Sequence, residues 1–341
     1  MRGFTMILVV AYHVALECYG QGVKQSASLP FLVLLRMPLF FFVSGFLAYK
    51  AGFLWNLPNL GRQLWKKTKI QVLPALIFLG VCVALRSKYG HGWDDFLHYL
   101  SIPTKGGYWF TWVLLQMFFI YYLISWLAAS FSSRFRLAFW VIVWLVSVVV
   151  YATTYMPAWF SYFKADFYNY TSLIQTMRFM QFFLLGNLVH RLWPEVQRMM
   201  DSRWFFPLVT VVAFLCCTEF LRWHYLRLQW TNLPRTLAMY GLVMLTVTTF
   251  RHYAASFSHE RVAGRCLQYI GQRTLDIYLL HFILMPRIPE VGKWLNAHQP
   301  NFLIDVVVSV SLALVVIAAC LLVSNVLRVS PVFRLYLFGR K

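Results

Sequence analysis

Acidic side chains are scarce in this sequence, with 11 Asp and Glu against 31 Lys and Arg in 341 residues, which leaves a formal charge of +20. Charge of either sign is scarce too, at 12% of residues, while 60% are hydrophobic. A soluble domain carries roughly a quarter charged residues, so the balance excludes an ordinary soluble domain and indicates an all-α polytopic membrane protein. The basic residues sit between apolar runs and form no aromatic-interleaved patch. Anionic lipid head groups therefore account for them better than nucleic acid.

Other absences narrow the class further. Cys18, Cys82, Cys216, Cys217, Cys266 and Cys320 show neither CxxC spacing nor nearby histidine ligands, so they read as small hydrophobes and no metal site is expected. The first apolar run lacks a small-residue cleavage site and carries polar residues, so it reads as a retained helix, not a disposable leader. Repeats, low-complexity tracts and a separate soluble domain are also missing, which makes 1–341 a single transmembrane domain.

What the chain does have is about ten segments long enough to cross a bilayer, at roughly 20 residues each. They run over 3–20, 30–50, 69–87, 108–129, 135–153, 172–191, 204–221, 233–250, 268–286 and 302–327. Pro74, Pro207 and Pro286 fall near helix ends, whereas Pro38 falls inside the second segment. Cytoplasmic N- and C-termini put about 19 of the 31 basic residues on the inner side. The longest connections, near 88–107 and 154–171, then face outward and could cap a cavity; Asn169-Tyr170-Thr171 forms a glycosylation sequon in the second.

Within the first segment stand a histidine and a glutamate, His13 and Glu17. An ionisable group in hydrocarbon is costly and usually faces a protein interior or a wet cavity. Arg2 is eleven positions before His13, about 16 Å along a helix, which places the arginine at the inner surface and the imidazole near the midplane. Glu17, at i+4, is expected on the same face, where a carboxylate would orient the ring and raise its basicity as a general base requires. The plain alternative is a histidine bonded to a neighbouring helix for packing alone. Further polar stripes follow helical spacing: Gln175, Arg178 and Gln181 in the sixth segment, and Thr274, Tyr278 and His281 in the ninth. Arg36 lies near the outer end of the second, and Glu219 with Arg222 is expected to form a structural ion pair. On the inner side Arg62, Lys66, Lys67 and Lys69 lead into the third segment, as a lipid-facing charge cluster or as a seat for a phosphorylated cofactor at a helix start.

The spacing Arg2-x10-His13, "RMPLFFFVSGF" at 36–46, the basic run before "VLP" at 72–74, "YWFTWVLL" at 108–115, "FFLLG" at 182–186 and "TLDIYLLH" at 274–281 together resemble the membrane acyltransferase 3 family. The resemblance implies an O-acetyltransferase-like enzyme that takes an acyl group, usually acetyl, from cytoplasmic acyl-CoA as a donor substrate and places it on a sugar hydroxyl of an exported or cell-surface glycan. It further implies a bacterial inner-membrane location. His13 matches the family's essential histidine and Arg2 its paired arginine, while Lys66-x-x-Lys69, with Lys67, stands where relatives carry an R-x-x-R element facing the CoA. Lysine keeps that charge but loses the bidentate fork. Arg36 stands where relatives often have histidine, and Met1-Arg2-Gly3 replaces a longer start, so an upstream beginning or a missing N-terminal contact is expected.

On this reading His13, supported by Glu17, is the general base or acyl relay. Ser44 and Gly45 permit close approach of a helix or of the pantetheine arm, and Arg36, Trp109, Arg178, Tyr278 and His281 line the acceptor path. Each has a packing alternative. The rival function is a transporter or flippase for an anionic or lipid-linked substrate, in which His13, Glu17 and Arg178 would couple protons or pass anions.

Overall fold

The computed structural model describes residues 1–22, 25–86, 92–154, 165–226, 232–297 and 301–338. Every regular element among the described residues is helical. In chain order these are α1 (Arg2–His13), α2 (Leu29–Ala48), α3 (Leu57–Lys67), α4 (Leu73–Arg86), α5 (Gly92–Ser101), α6 (Trp109–Ala129), α7 (Ser133–Thr153) and α8 (Ala165–Thr171). There follow α9 (Leu173–Arg191), α10 (Trp193–Met200), α11 (Phe205–Leu226), α12 (Asn232–His252), α13 (Val262–Gln272), α14 (Thr274–Leu284), α15 (Pro289–Ala297), α16 (Phe302–Leu327) and α17 (Pro331–Phe338). Single π turns continue α1 at Val14–Cys18 and join α3 to α4 at Thr68–Val72.

Among the described residues six helical runs are long and apolar enough to cross a membrane: Leu29–Ala48, Leu57–Leu85, Trp109–Ala129, Phe135–Thr153, Phe205–Arg222 and Phe302–Leu327. The Phe205–Arg222 run is apolar yet only 6% buried. Such a face is far larger than water tolerates and matches a lipid contact. Helices suit that setting because each satisfies its own backbone. The remaining expected spans differ for identifiable reasons. The first is divided at His13 by the π turn, and the ninth is two helices parted at Arg273, whose φ/ψ of −110°/17° is non-helical. The sixth and eighth are continuous helices, α9 and α12, that carry polar residues at their centres or ends. The third begins at Leu57 instead of 69, so the basic run is inside a helical segment, not ahead of it.

Local sequence explains several boundaries. Asn56 caps α3 by accepting from the Asn59 N–H at 3.0 Å, and Pro58 fills the first turn. Asn301 does the same for α16 through Leu303 N at 2.9 Å. Pro38 lies inside α2, as its position predicts. The two longest connections are partly helical, as α5 and α8, and the sequon at Asn169 is on α8; residues 88–91 and 155–164 of these connections lie outside the described residues.

The chain divides into two compact units. The first comprises Met1–Val43 and Val189–Leu321. Here α11 and α12 pack as a hairpin, with Gly241 against the Ala213 backbone, and α1 packs on both α13 and α14. Contact is closest at Gly3, where a Cβ would lie 2.0 Å from the Leu267 carbonyl oxygen. The segment after the π turn is pinned by Ile288 N–H donating to Cys18 O at 2.8 Å and by Tyr19 Oη donating to Val308 O at 3.2 Å. Asp305, buried in the first turn of α16, accepts from Ser26 Oγ and from Ser28 N at the start of α2.

The second unit comprises Ser44–Leu188 and Leu322–Lys341. Its α3–α4 segment packs on α6, α5 and α17. Lys105, buried with φ 46°, donates to Leu100 O and Tyr170 O, each at 2.8 Å, and so ties α5 to α8. Asn187 donates to Tyr121 Oη at 3.1 Å, and the α2 residue Gly45 sits against Phe183 so closely that a Cβ would meet its carbonyl oxygen at 1.8 Å. By contrast Gly61, on α3, has open space at its Cβ position.

Two glycine substitutions should therefore move stability in opposite directions. Gly45→Ala forces helix separation and is expected to cost about 1–3 kcal/mol, whereas Gly61→Ala is expected to gain roughly 0.5–1 kcal/mol from helix propensity. Thermal or denaturant melts in one detergent check both; equal effects would show that Gly45 is not a contact point.

Candidate active site

The site lies in the first unit and is built from α1, α2 and α14. His13 ends α1, and the Val14–Cys18 turn that follows uses an i→i+5 bond, from Tyr19 N to Val14 O at 3.1 Å. Single π turns within helices are often associated with function. The His13 ring is half-buried, and its Nδ1 is buried with no hydrogen-bond partner among the described residues.

His281 enters from α14, where Asp276 through Phe282 are all buried. Its Nδ1 is 2.8 Å from Tyr278 O and 3.1 Å from Ile277 O. Both partners are carbonyls and can only accept, so Nδ1 carries the hydrogen and the neutral ring presents a lone pair at Nε2. That Nε2 is also buried without a partner. The two imidazoles have centroids 5.3 Å apart at 51°. Phe282 abuts both, at 4.7 Å from the His13 ring and 4.0 Å from the His281 ring, while Tyr278 lies 5.9 Å from His281.

Arg36, from α2, brings the charge. Its guanidinium carbon lies 3.4 Å from the centroid of the Tyr12 ring, within electrostatic reach of both imidazoles. A cation over an aromatic face in a desolvated setting gains about 2 kcal/mol, which offsets part of the cost of burying it. Two ring nitrogens and a fixed cation in one cluster of buried and half-buried side chains can accept a proton and stabilise a developing negative charge, the two demands of acyl transfer.

Of the sequence-predicted residues, His13, Arg36, Tyr278 and His281 are thus brought together. Glu17 is not their partner. It is exposed, and no hydrogen bond joins it to His13 among the described residues, because the π turn inserts an extra residue into the turn and breaks the i+4 alignment expected of an α-helix. Arg2, at the opposite end of α1, is exposed.

The other candidates belong to the second unit. Lys66 and Lys67 occupy the last turn of α3, with Lys69 in the π turn. The helical run Leu57–Leu85 continues through all three, so they lie within a helical segment and the expected help from a helix start is absent. Lys66 and Lys69 are exposed; Lys67 Nζ lies 3.9 Å from the Phe118 ring centroid and Lys69 Nζ 4.7 Å from that of Trp65. Trp109 stacks on Phe179 at 6.1 Å, and Ser44 and Arg178 are half-buried, the Arg178 carbonyl accepting from Gln181 Nε2 at 3.1 Å. In the first unit, Glu219 and Arg222 pair at 3.5 Å on an exposed face. Tyr12 was not singled out by sequence, since an aromatic in an apolar helix carries no signal until the facing helix supplies a cation.

A family model for an acyltransferase domain matches residues 1–325. The chain belongs to the acyltransferase 3 family. No curated protein and no solved structure matches it. Membership together with the apolar helices makes this a membrane acyltransferase, and the matched range contains all of the imidazole pair, Arg36 and the basic run.

The Arg36–Tyr12 contact yields a direct test. Tyr12→Leu is expected to destabilise the acyltransferase by about 0.5–2 kcal/mol through the lost ring–cation contact. Denaturant unfolding in detergent measures it, and wild-type stability in the variant would remove Tyr12 from the site.

Proposed function

We propose that this protein is an integral membrane O-acyltransferase that moves an acyl group, acetyl in the simplest case, from cytoplasmic acyl-CoA to a sugar hydroxyl of a cell-surface or exported glycan. The observation that carries the reading is the meeting of His13, His281 and Arg36 in an apolar bundle of an acyltransferase family member. Supporting it, a thioester carbonyl attacked by a hydroxyl needs a base for the hydroxyl proton and a cation or donor for the oxyanion. His13 takes the first role and Arg36 the second; the Tyr278 ring lies 5.9 Å from that of His281.

The lysines at 66, 67 and 69 of the second unit are assigned to the phosphates of the donor, where charge counts for more than fork geometry. Ser44, Trp109 and Arg178 are assigned to the acceptor path. In the same reading ten helical segments cross the bacterial inner membrane with both termini cytoplasmic: besides the six long runs, α1 with its π turn, α9, α12 and the α13–α14 pair complete the set.

Membranes bearing the wild-type protein are expected to transfer label from radiolabelled acetyl-CoA to envelope glycans, and His13→Ala is expected to lower that transfer by on the order of 10²-fold or more. Substrate passage across the membrane with no label transfer, unaffected by the substitution, would replace the enzyme with a transporter.

A further inference from the structure

His281 contains a feature that packing does not explain. Its Nδ1 is fully used by two backbone carbonyls, a task that the amide of an asparagine performs equally well. What the imidazole adds is Nε2, and that nitrogen is buried and has no partner. Buried polar atoms are nearly always satisfied, so each orphan calls for a cause. The neighbouring ring carries a second orphan, His13 Nδ1, with the two centroids 5.3 Å apart and no hydrogen bond closed between the rings. Catalytic hydrogen bonds are commonly long before substrate binds and tighten only with it bound. Since the carbonyls make His281 Nε2 an acceptor, the matching state of His13 is the Nδ1–H tautomer, which leaves His13 Nε2 as the nitrogen with a lone pair for substrate.

We propose that His13 and His281 work as a proton-sharing imidazole pair, in which His281 Nε2 is the fixed terminal acceptor for the proton released by the acceptor hydroxyl. This rests on the acyl-transfer reading above. As the hydroxyl oxygen bonds to the thioester carbonyl carbon, its O–H breaks and the proton goes to His13 Nε2, while the His13 Nδ1 proton passes to His281 Nε2. When the tetrahedral intermediate collapses, the C–S bond breaks and the leaving thiolate takes the proton back along the same route. An alcohol and a thioester become an ester and a thiol, with both rings restored. Among the described residues the charged and titratable groups facing the pair are Tyr12 from α1, Arg36 from α2 and Tyr278 from α14 itself, while Asp276 is turned to Arg273 at 3.4 Å. None of these supplies a carboxylate to either ring, which is the place His281 fills for His13.

The decisive variant is His281→Asn, which keeps a donor for the two carbonyls and deletes the basic nitrogen. Label transfer by the full-length protein is expected to fall on the order of 10²-fold in kcat, with KM for acetyl-CoA unchanged and the pH–rate profile altered in shape. Wild-type kcat, or a reduced kcat on an unaltered pH profile, would make His281 a packing residue and overturn the pair. Should the variant not fold, ¹⁵N-histidine spectra of the wild-type protein in lipid provide the second arm: His281 is expected as the Nδ1–H tautomer, and a resting Nε2–H overturns the proposal. The underlying reading fails separately, by label transfer that survives His13→Ala.

Discussion

A polar atom withdrawn from water must find its partner inside the chain, and in an apolar slab no solvent relieves the failure. This constraint organises nearly everything seen here. Helices are the only described regular elements because each satisfies its own backbone. Where helices end or break, the loose groups are collected: Asp305 gathers Ser26 and Ser28 ahead of α2, Lys105 gathers carbonyls from α5 and α8, and Ile288 closes the carbonyl of Cys18. Among the buried polar atoms left unpaired in the described residues, the nitrogens of His13, His281 and Arg36 are notable because three different helices bring them to one cluster.

The same constraint sets what the cluster can do. Among the described residues no carboxylate is ion-paired with the cation held over Tyr12, so it is available to a charge that develops during reaction. Phe282 seals both imidazoles at 4.7 and 4.0 Å, which limits water and strengthens each remaining electrostatic contact. Rigid support comes from small residues: Gly3 and Gly271 bring α1 against α13, and Gly292 sits on the Tyr19 carbonyl. The rings are therefore mounted on backbones that cannot drift apart without opening those contacts.

Much of this was legible in the sequence, and the exceptions are physical. Apolar run length located a helix at each of the ten expected positions, since hydropathy over some 20 residues is a strong signal. His13, Arg36 and His281 could be picked out because ionisable residues in such runs are costly. Breaks were not legible: nothing in "TMILVVAYHVALEC" announces a π turn, and Arg273 parts α13 from α14 within an otherwise helical pattern. Nor were contacts that join distant positions, such as Ser26 with Asp305, 279 residues apart, or Arg36 with the Tyr12 ring. Periodicity reports which face of a helix a residue occupies, not what the opposing helix brings to it.

The π turn after His13 shows how one backbone irregularity reassigns a site. On a continuous α-helix Glu17 would lie above His13 and supply the usual carboxylate for an imidazole base. The widened turn instead leaves Glu17 exposed and buries Val14, Ala15 and Cys18. With the carboxylate removed, the groups left around His13 are a second imidazole with its tautomer set by carbonyls and a guanidinium held on a ring. A carboxylate partner would have neutralised Arg36 as readily as it supported His13. Turning it outward keeps one positive charge uncompensated beside the imidazoles, which is the arrangement an oxyanion requires.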